Sequence, residues 1–290
     1  MMFAVATLSQ TKATASVVEH ARLQAAADSG VLLAAFRFVA IHAAPLGPGA
    51  VQGPVPMRLS CRMSDGIALL VSAADEGGNI DLKAADDELI RRLFVEFGAT
   101  SDQATALVDA IVDYRDLDDL PRVHGAESME YQAAGLAFGP KNALFGSVEE
   151  LEQVFGMPPE LYSAVKPYLT VYSGHSGIDP RFASPQVLGA VAGFDHEATL
   201  KQLAAGPRDW EAISVPPQFV TPSDRRAFLV RSSARAGDGG VAVREAIVDV
   251  AATASGPFAI RQLQHGPSRE QSASVRLLDD SSASYDPPPC

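Results

Sequence analysis

The spacing of apolar positions changes period three times along the chain. From Met1 to about Ile41, apolar residues recur at helical spacing: Val17, Val18, Ala21 and Ala25, then Val31, Leu32, Ala35 and Phe36. Gly30 is the only Gly or Pro in that stretch, so one long helix is predicted. The run "HAAPLGPGAVQGP" breaks it with two Gly-Pro steps. Met57, Leu59, Cys61 and Met63 then alternate with polar residues, the pattern of a half-buried strand. Asp65-Gly66 reads as a hairpin turn and "IALLVSA" as the returning strand.

Between Leu82 and Val191 the helical period returns in short pieces. "DDELIRRLFVEFG" has acids in its first turn and Gly98 past its end. "SDQATALVDAIVDYRDLDD" offers Ser101 as an N-cap, with apolar positions at Ala104, Leu107, Val108, Ile111 and Val112. "SVEELEQVFGM" pairs Ser147 with Glu150 as a capping box. "PPELYSAVKPYLTVYS" and "SPQVLGAVAG" each read as a further short helix. After about Gly206, "RRAFLVRSSARAGDGGVAVREAIVDVA" reads as two strands joined around "GDGG". The tail beyond Pro257 is rich in Ser, Asp and Pro and is expected to be disordered. The order predicts an α+β fold: a long helix and first strands over 1–82, an inserted helical domain over 83–205, returning strands over 206–256, and a tail over 257–290.

One phrase occurs twice. "GGNIDLKAADDEL" and "SGIDPRFASPQV" both run Gly, Ile-Asp, a spacer ending in Ala, an Asp or Ser, and a helix start. A helix-hairpin-helix that offers backbone N–H groups to a nucleic-acid phosphate is one reading, and turn-and-helix scaffolding is the other. The corresponding turn, "VFGMPPELY", has a single Gly and two prolines, and each proline removes a donor. The chain carries 23 Lys and Arg against 35 Asp and Glu, a net charge of −12, which also opposes phosphate binding. At 47% hydrophobic residues in 290, the chain can bury a sizeable core. The two cysteines, Cys61 and Cys290, imply neither a disulfide framework nor zinc-ligand spacing. No run of 18 apolar residues forms a complete transmembrane helix, although "MMFAVATL" fits the end of a longer apolar segment.

The segments "DEGGNIDLKAADDELIRRLF", "AIVDYRDLDDLPRVHGAESMEYQ", "KNALFGSVEELEQVFGMPPELYSAVKPYLTVYSG" and "GIDPRFASPQVLGAV" together resemble the type II secretion system minor pseudopilin K family (general secretion pathway protein K). The resemblance covers roughly Val17 to Gly193. It implies a pilin-like fold, a long N-terminal helix packed on an antiparallel sheet, with a large inserted all-α domain of helix-hairpin-helix or SAM-like character. It implies a protein that works by assembly and not as an enzyme, at the tip of the pseudopilus with other minor pseudopilins and the major pseudopilin, and with no nucleic acid. The location it implies is the bacterial inner membrane, with the globular part in the periplasm. The family begins with a basic leader and about twenty apolar residues that span the membrane. This sequence is expected to start inside that segment. "IDLKAAD" and "IDPRFAS" stand where the family more often has an Asn-Thr-Ala step. Competing readings are a nucleic-acid-binding helix-hairpin-helix protein and a calcium-stabilised exported binding module.

Two groups of residues are singled out. The loop "DYRDLDDLPRVHGAESMEY" carries Asp113, Asp116, Asp118, Asp119, Glu127 and Glu130. Calcium takes six to eight oxygen ligands, and clustered carboxylates supply them. Leu120 and Pro121 occupy the positions where an EF-hand needs a ligand and a Gly, so the loop is no EF-hand. The resemblance adds calcium in the helical domain of the family, in a structural role. On the first helix, Leu23, Ala26, Ala27, Gly30 and Val31 form a small and aliphatic stripe that permits close approach of partner helices; the later half of the helix is also expected to pack on the chain's own sheet, and the earlier half to meet membrane and partners. No nucleophile motif is present: "YSGHSG" is one residue short of Gly-x-Ser-x-Gly and lacks the strand-elbow-helix order.

Overall fold

The computed structural model describes residues 2–43, 57–192, 215–250, 256–266 and 288–290. In chain order the elements are α1 (Met2–Ala43), β1 (Met57–Arg62), β2 (Ala68–Asp75), β3 (Ile80–Asp81), α2 (Asp87–Glu96), α3 (Ser101–Arg115), α4 (Ser128–Ala133), α5 (Pro159–Val165), β4 (Leu169–Thr170), α6 (Pro185–Ala192), β5 (Ala227–Arg235), β6 (Val241–Asp249) and β7 (Ala259–His265). The chain divides into two compact units. One combines Met1–Ala74 with Arg226–Cys290, and the other is Asp75–Arg225.

The first unit is a helix on a five-stranded sheet of order β1-β2-β5-β6-β7, in which β1–β2, β5–β6 and β6–β7 pair antiparallel. The fold class is thus the expected α+β, pilin-like arrangement. The turn after β1 needs left-handed backbone, and Gly66 takes it at φ 85°. From Leu23 to Phe38, α1 turns one face inward. Leu23, Ala26, Ala27, Gly30, Val31, Ala34 and Phe38 are buried, packed in one cluster with Val230, Ala234, Ala246 and Val248 of β5 and β6. Phe38 stacks on Phe228 with ring centroids 4.0 Å apart. Asp28 reaches over the edge of this face to Arg244 Nε, 2.5 Å away.

The expected partner stripe is therefore corrected. Leu23, Ala26, Ala27, Gly30 and Val31 pack on the chain's own sheet, because small side chains are what let a helix lie close on a pleated surface. The outward face of α1 instead carries Val17, Val18, Leu32, Leu33 and Phe36. By length and composition alone, Ser16–Ile41 would cross a membrane, with a mean hydropathy of 1.3. That value is reached without an uninterrupted apolar run. In this unit the stretch serves as the core helix.

The tail expectation is corrected at both of its described ends. Residues 259–265 form β7, in register with β6 from Arg244↔His265 to Asp249↔Ala259, with an irregularity at Ile247/Val248. Its sequence, "AIRQLQH", buries little on either face, so its periodicity is faint. At the far edge of the sheet, Cys290 is disulfide-bonded to Cys61 across a sequence separation of 229. Arg62 N–H donates to Pro288 O at 2.7 Å and Cys290 N–H donates to Arg62 O at 2.9 Å. Two cysteines so far apart in sequence carry no local signal of pairing. Residues 267–287 lie outside the described residues.

The second unit gathers α2, α3, α5 and α6 around one core, which includes Leu89, Ile90, Leu93 and Phe94 of α2 and Leu107, Val108 and Ile111 of α3. It spans 75–225 where 83–205 was expected. Its flanks are recruited by non-local backbone pairing. β3 lies parallel to β4, and Ile178 and Phe219–Thr221 exchange backbone hydrogen bonds of 2.8–2.9 Å. Asp75 Oδ1 accepts from Gly77 N–H at 2.8 Å and from the Ser223 hydroxyl at 2.7 Å. Two caps differ from expectation. Thr100, not Ser101, is the N-cap of α3 and forms a capping box with Gln103. The segment after Ser147 is a 3-10 turn, Val148–Gln153, with no side-chain cap. Glu150 is held instead by Lys141 at 2.9 and 3.0 Å.

The repeated phrase is scaffolding. Ile80 and Ile178 are both fully buried. Asp81 and Asp179 each close a turn onto the amide two residues on, Lys83 at 2.8 Å and Arg181 at 3.0 Å. Each then hands the chain to a helix, α2 or α6, through an Asp86 or Ser184 side chain that accepts a helix amide.

Candidate metal centre

The acidic loop starts where α3 ends. Helix α3 runs to Arg115, and Asp116 closes it in extended conformation with its N–H donating to Val112 O at 2.9 Å. The chain then loops out and returns to α4, a short helix whose N-cap is Glu127. This path brings Asp116, Asp118 and Glu127 together: one carboxylate oxygen from each lies within 4.8 Å of the others.

The other three acids do different work. Asp113 is fully buried at the base of the loop, and both of its oxygens accept from Arg122 N–H at 3.1 and 3.2 Å. Gly125 leaves room for it, since a Cβ there would fall on Asp113 Oδ2. Asp119 Oδ1 accepts from Asn142 Nδ2 at 3.0 Å. Glu130 Oε2 accepts the Glu127 N–H at 2.9 Å, which ties α4 to its own N-cap. Arg122 and His124 are exposed and pair with neighbouring acids: Arg122 Nη1 sits 2.8 Å from Asp87 Oδ2, and His124 Nδ1 sits 3.3 Å from Asp109 Oδ2.

Asn142 is the residue that sequence reading missed. Its amide also reaches Asp118 O at 3.4 Å, and its backbone sits at φ 50°, in left-handed space that Asn tolerates. The only local hint was an Asn after Gly-Pro-Lys, a common turn composition.

The donor set fits a hard cation. Glu127 is 4% exposed, and neither of its carboxylate oxygens has a hydrogen-bond partner. Asp116 Oδ1 and Asn142 Oδ1 are likewise buried without one. Buried oxygens with no donor are costly unless something positive faces them. Burial, then Asp113, Asp116, Asp119 and Asp118, push the Glu127 carboxyl up to about 7. Asp113 and Asp116 are also raised, chiefly by burial. Carboxylate and amide oxygens, with no nitrogen or sulfur, suit calcium, magnesium or manganese. Asp116, Asp118 and Glu127 would hold such an ion, and Asn142 Oδ1 is available beside them.

Residues 68–174, which contain this whole site, match the family model of type II secretion system (T2SS) protein K. Curated type II secretion system K proteins are 29% identical over 82 residues in Pectobacterium carotovorum subsp. carotovorum and 34% over 84 residues in Dickeya chrysanthemi. A putative K protein of Escherichia coli strain K12 is 31% identical over 84 residues. These alignments take in 28–29% of this chain and 23–26% of each relative, so the chain spans about a quarter of the length of the curated relatives it matches. The likeness of fold reaches much further than the likeness of sequence. A chain in the crystal structure of the GspK–GspI–GspJ complex from the enterotoxigenic Escherichia coli type 2 secretion system superposes with a TM-score of 0.61 at 16% identity. That superposition covers 89% of this chain and 99% of the other. The acidic loop therefore lies inside the stretch that carries the protein K sequence signal.

Proposed function

We propose that this chain is a minor pseudopilin of a type II secretion system, part of the pseudopilus tip complex that supports protein export across the outer membrane. One observation carries the reading: a protein K family match over residues 68–174 sits within a fold likeness that takes in the helix and sheet as well. On this reading the N-terminal end of α1 lies in the inner membrane, the globular part lies in the periplasm, and other minor pseudopilins and the major pseudopilin are the partners. The activity is assembly, with no substrate turned over. The bound cation is calcium in a structural role: Asp116, Asp118 and Glu127 hold it, and it fixes a loop whose carboxylates otherwise repel one another. An exported, oxidising compartment agrees with the Cys61–Cys290 disulfide.

The test is co-expression of the full chain with the I-type and J-type minor pseudopilins of the same bacterium. A stable complex on size exclusion, and restored secretion in a strain lacking the K protein, are expected. A chain that neither copurifies with them nor restores secretion would end this reading.

A further inference from the structure

The loop that wraps the acidic site presents large aliphatic side chains to water. Leu117 is 87% exposed, Leu120 76% and Val123 90%, three within seven residues. Leu144 is 58% exposed and follows two residues after Asn142, which is bonded to Asp118 and Asp119. Scattered exposed aliphatics are ordinary, but a run of them on a short fixed segment is not. The segment is fixed. Leu120 N–H donates to Asp118 Oδ1 at 2.9 Å, Arg122 N–H to Asp113, and Gly125 N–H to Arg122 O at 3.1 Å.

We propose that Leu117, Leu120, Val123 and Leu144 form a docking surface for a protein partner that presents an apolar groove with a rim of Lys and Arg. Charge argues for that rim. Residues 75–225 hold 25 Asp and Glu against 11 Lys and Arg, a net of −14, so the remainder of the chain is close to neutral. Arg122 is the loop's one Lys or Arg beyond α3 and is paired with Asp87, so the exposed Asp118 and Asp119 and the half-buried Asp116 outnumber it at the surface. A divalent ion at Asp116, Asp118 and Glu127 would leave the exposed Asp119 and the unit's other acids uncompensated. A lipid surface fits less well, since anionic headgroups repel such a loop and it has no Trp, Lys or exposed Tyr to anchor at an interface. Because the backbone is already tied down, docking costs little ordering entropy. The tip reading enters only in saying where such a partner is met.

The experiment places a photo-reactive benzophenone amino acid at Val123 of the full chain in cells. Val95 on α2, 41% exposed, serves as the control position. The expected result is a protein adduct from Val123 and not from Val95, with a cross-linked peptide in which apolar residues are flanked by Lys or Arg. In Leu117→Ser/Leu120→Ser the adduct falls by about fivefold or more while the melting temperature is unchanged, because both side chains are in solvent. An adduct to lipid alone, a cross-linked peptide without basic residues, or no adduct overturns the proposal. Copurification separates this from the tip reading. A chain that joins the I-type and J-type proteins but gives no Val123 adduct loses only the docking surface. A chain that does not join them loses the tip reading, whatever Val123 captures.

Discussion

Gly30 of α1 lies directly over Ser232 of β5. A methyl group on Gly30 would fall on the Ser232 hydroxyl and within 2.9 Å of Val71 Cγ2. Both neighbours belong to fully buried strand residues, so making room for the methyl requires repacking. In an exposed helix, Gly→Ala would gain about 1 kcal/mol. Here the clash exceeds that gain, and Gly30→Ala is expected to destabilise the helix-and-sheet unit by about 1–3 kcal/mol. Urea unfolding followed by Phe and Tyr signals would measure it, with Ala21→Gly on the exposed side of α1 as a helix-propensity control.

The acidic site should respond to calcium. With free calcium about a hundredfold above its dissociation constant, the full chain is expected to gain about 2–3 kcal/mol, and chelation should reverse this. Glu127→Gln should abolish the gain. Without the ion the same variant should be at least as stable as the parent near pH 8, because it removes a buried carboxylate that no donor satisfies. Thermal melts of both proteins with calcium and with chelator test the four combinations.

Asp75 gives the helical unit a pH dependence of definite sign. Burial pushes its carboxyl up to about 6, and Glu76 adds to the rise, while Gly77 N–H, the Ser223 hydroxyl and Arg225 pull it down. The fold therefore favours the protonated form. The stabilisation is complete below the ordinary Asp value of 3.8 and is lost as pH rises through about 6. The expected loss between about pH 4 and pH 7.5 is on the order of 1–3 kcal/mol. Asp75→Asn should remove this component, since its amide oxygen can still accept from Gly77 and Ser223. The difference between parent and variant melts across pH isolates it from Glu127, which titrates in the same direction.

The Cys61–Cys290 bond closes nearly the whole globular chain, at a sequence separation of 229. Long loops lose the most unfolded-state freedom on closure, so Cys290→Ser is expected to cost about 2–4 kcal/mol. It should also release the Arg62 amide, now bonded to Pro288 O, from hydrogen-exchange protection. A parent protein treated with a dithiol reductant should behave like the variant.

Much of this molecule is written in local pattern. The 3.6-residue recurrence of apolar positions determined α1, α2 and α3, and strict alternation with Asp65-Gly66 determined the β1–β2 hairpin. The run of Asp and Glu from Asp113 to Glu130 marked the loop where oxygens converge, because such residues stand a few positions apart on one segment. Sequence alone did not decide which face of α1 is free. The same small residues that permit a partner helix to approach also permit the chain's own sheet to do so, and only the packing against Val230 and Ala246 settles it. Nor did it decide which acids meet. Asp113, Asp119 and Glu130 are spent on Arg122, Asn142 and the Glu127 amide, contacts fixed by how the loop folds back. Asn142, β7, the β3–β4 pair and the Cys61–Cys290 bond depend on neighbours far away in the chain, and no local period encodes a distant neighbour.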